Sequence, residues 1–267
     1  MTNLVNNDKR AENRKQRRLL AIADDRFGVL FADAIRAASE QMLAEFVASG
    51  GAPRLPDDFA NRMAQIYADM TGILVDAFGS RILDQGKRAG LILETKEGFA
   101  EFFQRLALEY IQQEAIRARI TFVTETTRNQ IIAQIDRGQR DGLGVAEIAK
   151  LIEDALPDIS RARGALIART ETHGAANFGA DRAARATGLT LRKEWVSAHD
   201  HRTRDFGVDI DEFNHRGADG QIVDMDQAFQ IQRRDGSTEA LMFPGDPVGS
   251  PGNVINCRCS VAHIVDD

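Results

Sequence analysis

Two cysteines two positions apart, Cys257 and Cys259, and five histidines are the residues of this 267-residue sequence whose types most readily do chemistry. Thiolate sulfur and imidazole nitrogen together form the donor set that zinc prefers. His199, His201, His215 and His263 are the imidazoles that could join the thiols, and His215 with Cys257 and Cys259 makes the most economical set. Such a structural zinc would staple a region too rich in loops to hold itself by apolar burial. Against it, Cys-x-Cys is not the usual Cys-x-x-Cys spacing and only two thiols exist. The alternative is that both cysteines are small buried residues on a final strand over 255–264. A disulfide between them would close a small strained ring, so the thiols are expected to be reduced. Catalytic use of a thiol would need a supporting His and Asp, and none can be singled out. No motif in the sequence requires a cofactor.

A second constellation is Arg169, Thr170 and Glu171, followed by His173, on a predicted helix. It reads either as an acid/base or anion-binding cluster, or as charges that pair with the C-terminal loops and lock helix to sheet. An Arg-Thr-Glu triplet also occurs in ADP-ribosyltransferase signatures. There the Arg lies on a separate strand and a second Glu motif follows, and neither arrangement is present here. Asp200, Arg202 and Arg204 come after a strand bearing Trp195. An Asp in that place can fold back on its own backbone, and Glu171 and Asp200 are natural two-pronged partners for the two arginines. The third concentration of charge is near the start: Lys9, Arg10, Arg14, Lys15, Arg17 and Arg18, against Asp8 and Glu12. It is either the solvated start of a helix or an arm touching DNA or an acidic partner. The formal net charge of −6 gives no overall attraction to nucleic acid. No phosphate-binding loop, dinucleotide fingerprint or paired-metal carboxylate set appears, which argues against an ATP-driven motor.

The elements that must position these residues are mostly helical. Hydrophobic residues make up 43% and charged residues 28%, the balance of a folded, soluble chain rather than a disordered one. Phe27, Phe31, Ile35, Met42 and Phe46 fall at helical intervals, and Phe59, Met63, Ile66, Met70 and Ile73 repeat the pattern after a Gly-Gly-Ala-Pro break. A third long helix is predicted over 96–137, about 60 Å in length. Its stripe is Phe99, Phe103, Leu106 and Tyr110, continued with one irregularity by Ile116, Ile120, Val123, Ile131 and Ile135. A short helix over 145–155 and, beyond Pro157, another over 161–187 follow. After Gly188 the texture turns to strands and ordered loops, with LTLRKEWVSA, QIVDM, EALMF and SVAHIV as the strand-like pieces. The expectation is an α+β chain: an elongated helical bundle over 1–140, then a small loop-rich α+β domain over 141–267. No run of apolar residues is long enough to span a bilayer and no signal peptide precedes the first helix, so a cytoplasmic origin is expected.

From residue 142 onward the sequence resembles the Mu F-like head-morphogenesis family, the minor head proteins of tailed phages. The matching pieces come in the family's order: GLGVAEIAKLIEDAL, IARTETHGAANFGADRAARATG, KEWVSAHDHRTRD, HRGADGQIVDMDQAF and FPGDPVGSPGNVINCRC. Arg169, Glu171, Trp195, Asp200, Arg202, Arg204, His215, Gly220, Asn256, Cys257, Arg258 and Cys259 fall in them and are the expected structural motif. The resemblance implies a minor capsid protein that enters the prohead with the portal and is found first in the bacterial host cytoplasm, then in the virion. Its partners would be the portal protein and the major capsid or scaffold protein, with weak DNA contact and no membrane. Two other classes stay open: a virion-carried hydrolase or transferase using Glu171, His173 and His215, and a DNA-binding internal head protein using the basic stretch.

Overall fold

A computed structural model describes residues 9–88, 98–207 and 211–265. The chain is α+β. Helix α1 runs over Lys9–Ser49, α2 over Phe59–Arg88, α3 over Phe99–Gln112 and α4 over Glu114–Arg140. Helix α5, Val145–Ala186, is 42 residues long and spans on the order of 60 Å. Strand β1 (Leu191–Val196), β2 (Ile222–Asp224), β3 (Phe229–Gln232) and β4 (Thr238–Leu241) follow. A short α6 (Pro251–Val254) and β5 (Ser260–Val265) come last. Strands β2-β1-β5 form an antiparallel sheet with β1 central, pairing Lys193 with His263 and Trp195 with Val261; β3 and β4 form a separate hairpin.

Three expectations about the helices need correction. The helix predicted over 96–137 is two helices, broken at Gln113, whose ψ of 135° leaves the helical region. The break absorbs the six-residue step from Tyr110 to Ile116, which no straight helix could keep on one face. Conversely, the helices predicted over 145–155 and 161–187 are one, α5, with Pro157 inside it. A proline there removes one backbone donor, but Ile152, Leu156 and Ser160 are buried on either side, and this tertiary packing overrides the local preference. In α2, Ile73 is exposed, and the seam instead continues through Tyr67, Leu74 and Phe78.

Helix α5 is the spine. Its first half lies along α1 so closely that a Cβ on Gly164 would stand 2.4 Å from the Gly28 carbonyl oxygen. Farther along, a Cβ on Gly179 would stand 2.8 Å from Val75 Cα on α2. The break predicted near residue 140 falls between α4 and α5, yet one apolar core runs across it. That core joins Phe27, Phe31, Tyr67 and Phe103 to Phe178, Trp195, Phe229 and Val261. A smaller cluster of Met42, Phe46, Ile131, Ile135, Ile148 and Ile152 closes the far end. The hairpin strand β3, not foreseen from the sequence, buries Phe229 and Ile231 and leaves Gln230 and Gln232 out.

Candidate functional site

His215, Cys257 and Cys259 come together in the β region. His215 sits in a loop clamped by backbone bonds, Asn214 N–H to the Gln232 carbonyl (3.0 Å) and Arg216 N–H to the Arg204 carbonyl (3.0 Å). The cysteines lie in the turn after α6, before β5 begins at Ser260; the strand expected over 255–264 starts later than the sequence suggested. Asn256 makes that turn with φ of 62°, a conformation Asn tolerates better than most residues. The result places the His215 Nδ1 at 3.6 Å from both Cys257 Sγ and Cys259 Sγ. All three side chains are buried and both thiols are free.

The other face of the imidazole is fixed by a short relay. Glu239 accepts from Asn253 Nδ2 at 3.0 Å, and also from the Ser250 backbone N–H and hydroxyl. That leaves Asn253 Oδ1 to accept from His215 Nε2 at 2.7 Å. With the proton held on Nε2, the Nδ1 lone pair points at the sulfurs. Trp195, fully buried, stands edge-on to the His215 ring at 5.4 Å and to Phe229 at 5.5 Å. A hydrogen bond from Cys259 holds the Cys257 thiol well below its ordinary range, against the opposing effect of burial. Burial and the Cys257 sulfur push Cys259 up.

The Arg-Thr-Glu row of α5 is divided among separate partners. Glu171, 3% exposed, is held by Arg119 of α4, whose Nη1 is 3.4 and 3.3 Å from its two oxygens. Burial raises its pKa and Arg119 opposes the rise. Arg169 does not pair with Glu171. Its Nη1 donates to Asn256 Oδ1 at 2.9 Å, and its Nε is 3.8 Å from Asp24. Thr170 Oγ1 accepts from the Asn256 backbone N–H at 3.0 Å, so α5 grips the cysteine turn by Asn256. Thr172 donates to Asp24. His173 lies 3.9 Å from the same carboxylate, and burial pushes its pKa down to about 4. Glu171, His173 and His215 therefore each have their own surroundings and do not converge on one open site.

The expected charge network exists with different pairings. Asp200 folds back on its own loop, accepting from the Arg202 backbone N–H at 2.9 Å, but its ion pair is with Arg258 at 3.1 Å. Arg204 donates to the Ile255 carbonyl and Arg202 to His201, so neither holds a carboxylate in the described contacts. Gly220, with φ of 76°, donates its N–H to the Trp195 carbonyl. Arg169, Asp200, Arg202, Arg258, His173 and Asp24 line a cleft of about 300 Å³ together with Arg17 of α1. Arg17 also donates to the Ser197 carbonyl, which turns part of the basic stretch into a tether between α1 and the β region. Lys15 and Arg18 are exposed; the side chains of Lys9, Arg10 and Arg14 lie outside the described residues.

Sequence reasoning missed Asn177, Asn253, Glu239 and Arg119. Asn177 donates to the Pro244 and Cys259 carbonyls and accepts from Val261 N–H, sewing α5 to both loops and β5. Its signal was available, since Thr170, His173, Asn177 and Asp181 share one helical face. The other three are joined to their partners only through the fold.

A family model described as Phage Mu protein F like protein matches residues 126–262. A curated relative, Uncharacterized protein YqbB of Bacillus subtilis (strain 168), is 27% identical over 126 residues, covering 47% of this chain. The matched stretch spans 38% of that relative's length. No solved structure matches. The cysteine pair, His215 and the α5 row all fall inside the matched segment, whereas Arg119 and Asp24 lie before it.

Proposed function

The chain belongs to the Phage Mu protein F like family, a phage head-morphogenesis family, and from that footing we propose that it is a minor head protein that docks on the portal or the inner head surface during prohead assembly. The region before residue 140 is the docking part, and 141–267 is the domain presented to the head interior. The observation that carries this reading is an outward apolar row on α1. Leu19 and Leu30 are 45% and 41% exposed, and Ile22 and Val29 are each 59% exposed. At 100° per residue these four side chains fall within an arc of about 100° on one side of the helix. The opposite side is already spent on Phe27, Phe31 and Ile35. A helix with apolar residues on both sides suits a second partner, and a helix laid in a groove is a common way to take one. The protein would be made in the bacterial cytoplasm and carried into the virion. DNA contact through the basic start of α1 would be weak and steeply salt-sensitive.

The test uses the full chain with Ile22→Glu and Val29→Glu, produced together with the portal protein of the same phage. Both positions are exposed, so thermal melting should match the parent. Co-purification with the portal and entry into proheads should be lost. Parental incorporation of the double variant would overturn the docking reading.

A further inference from the structure

We infer that His215, Cys257 and Cys259 hold one zinc ion, through Nδ1 and the two Sγ atoms, and that this ion is the fastening of the β region. Zinc–nitrogen bonds of about 2.0–2.1 Å and zinc–sulfur bonds of about 2.3 Å at a tetrahedral angle place N and S about 3.6 Å apart. Both His215–cysteine separations are 3.6 Å. A pair of thiol hydrogen bonds accounts for this geometry less well. Neutral Nδ1 offers a single lone pair, which cannot be aimed at two sulfurs at once, whereas one ion on its axis meets all three ligand atoms.

A second observation is independent of those distances. Metal-bound histidines nearly always donate their other ring N–H to a fixed acceptor, which sets the tautomer and the ring plane. Here that acceptor is Asn253, itself oriented by Glu239. The burial of the trio and the soft sulfur donors select zinc over magnesium or calcium, which favour oxygen ligands. Among the described residues no fourth His, Cys, Asp or Glu places a ligand atom within the same 4.8 Å grouping.

Fastening is what the surroundings require. The ion joins the loop that carries His215 to the turn that leads into β5, and that turn is gripped by Arg169, Thr170 and Asn177 of α5. Two long connections are thereby closed where a three-stranded sheet and a hairpin are the only strands among the described residues. Metal binding in such regions is folding free energy.

The experiment uses the untagged full chain, purified without chelator. Elemental analysis should give one zinc per chain, and both thiols should resist alkylation until a chelator is added. Chelation should lower the melting temperature, and zinc, not magnesium, should restore it. Cobalt in place of zinc should give thiolate-to-metal bands in the near ultraviolet and intense visible bands of a four-coordinate site. Cys257→Ser with Cys259→Ser should abolish both signals. Because that variant could fail to fold, Asn253→Ala serves as the second: it keeps all three ligands and should weaken zinc binding by about 10- to 100-fold. A parent chain that carries no metal, shows no zinc-dependent melting and alkylates freely would overturn the inference. Metal retained by the double cysteine variant would do the same. None of these readouts depends on portal docking.

Discussion

Replacing Arg119 by methionine leaves Glu171 as a buried carboxylate without its cation. Breaking a buried pair in this way costs roughly 3–5 kcal/mol, but Glu171 has an escape: it can take up a proton. Against an ordinary value of 4.5, neutralising it at pH 7 costs about 3 kcal/mol at about 1.4 kcal/mol per pH unit. That route sets the loss near 3 kcal/mol, a melting shift of about 6–12 °C for a chain of this size. The sign with pH follows. In the variant the folded state holds a proton that the unfolded state releases, so the deficit relative to the parent should shrink as pH falls from 7 toward 4.5. Denaturant unfolding of parent and variant between pH 5 and 8 measures this difference directly. Adding Glu171→Gln to the variant should recover most of the loss, because the uncompensated charge is gone. A deficit under about 1 kcal/mol at pH 7, a deficit that ignores pH, or a double variant that loses the sum of both changes would refute the reasoning.

His263 is buried on β5 with neither ring nitrogen bonded, near Asp181, Lys193 and Arg185, and burial pushes its pKa down from 6.5 to about 4. The unfolded state therefore binds more protons between those values, and up to about 3 kcal/mol of stability present above pH 6.5 should be lost as pH falls to 4. His263→Leu should flatten that part of the unfolding profile, and a profile parallel to the parent's would count against the assignment. Gly164→Ala should cost about 3 kcal/mol or more, since its methyl meets backbone of α1. Gly72→Ala, with nothing within 4 Å, should gain up to about 1 kcal/mol. Equal melting temperatures for the two would mean that α1 and α5 do not approach as described.

These comparisons also show which parts of the molecule are legible from residue order. The seam of α1 is, because Phe27, Phe31, Ile35, Met42 and Phe46 carry period and burial together. The break at Gln113 was present as the step from Tyr110 to Ile116, but an irregular stripe does not say whether a helix bends, ends or merely tolerates a gap. Pro157 misleads for the reason that any local rule can, since Ile152 and Leu156 are held by distant partners. Chemistry alone nominates His215, Cys257 and Cys259, because few donor sets are as selective. Glu171 shows the converse. Its ligand, Arg119, is 52 residues away on another helix, and charge type without topology pointed instead to Arg202 and Arg204. The relay of Glu239 and Asn253 is invisible for the same reason, being made of ordinary polar residues that matter only once α6 has set their angle.

The pairing of α1 with α5 also has a timetable. A ribosome completes α1 about a hundred residues before the first turn of α5 exists. At roughly 5–20 residues per second the wait is on the order of 5–20 seconds, long beside the microseconds in which a helix forms. Throughout it the seam of Phe27, Phe31 and Ile35 lacks its main partner, and the strip that includes Gly28 faces outward with no Gly164 to receive it. The nascent chain thus shows two greasy sides, where the finished molecule shows one. Nascent chains made beside one another would in that interval be open to trading α1 between neighbours, a hazard that ends only when the spine arrives.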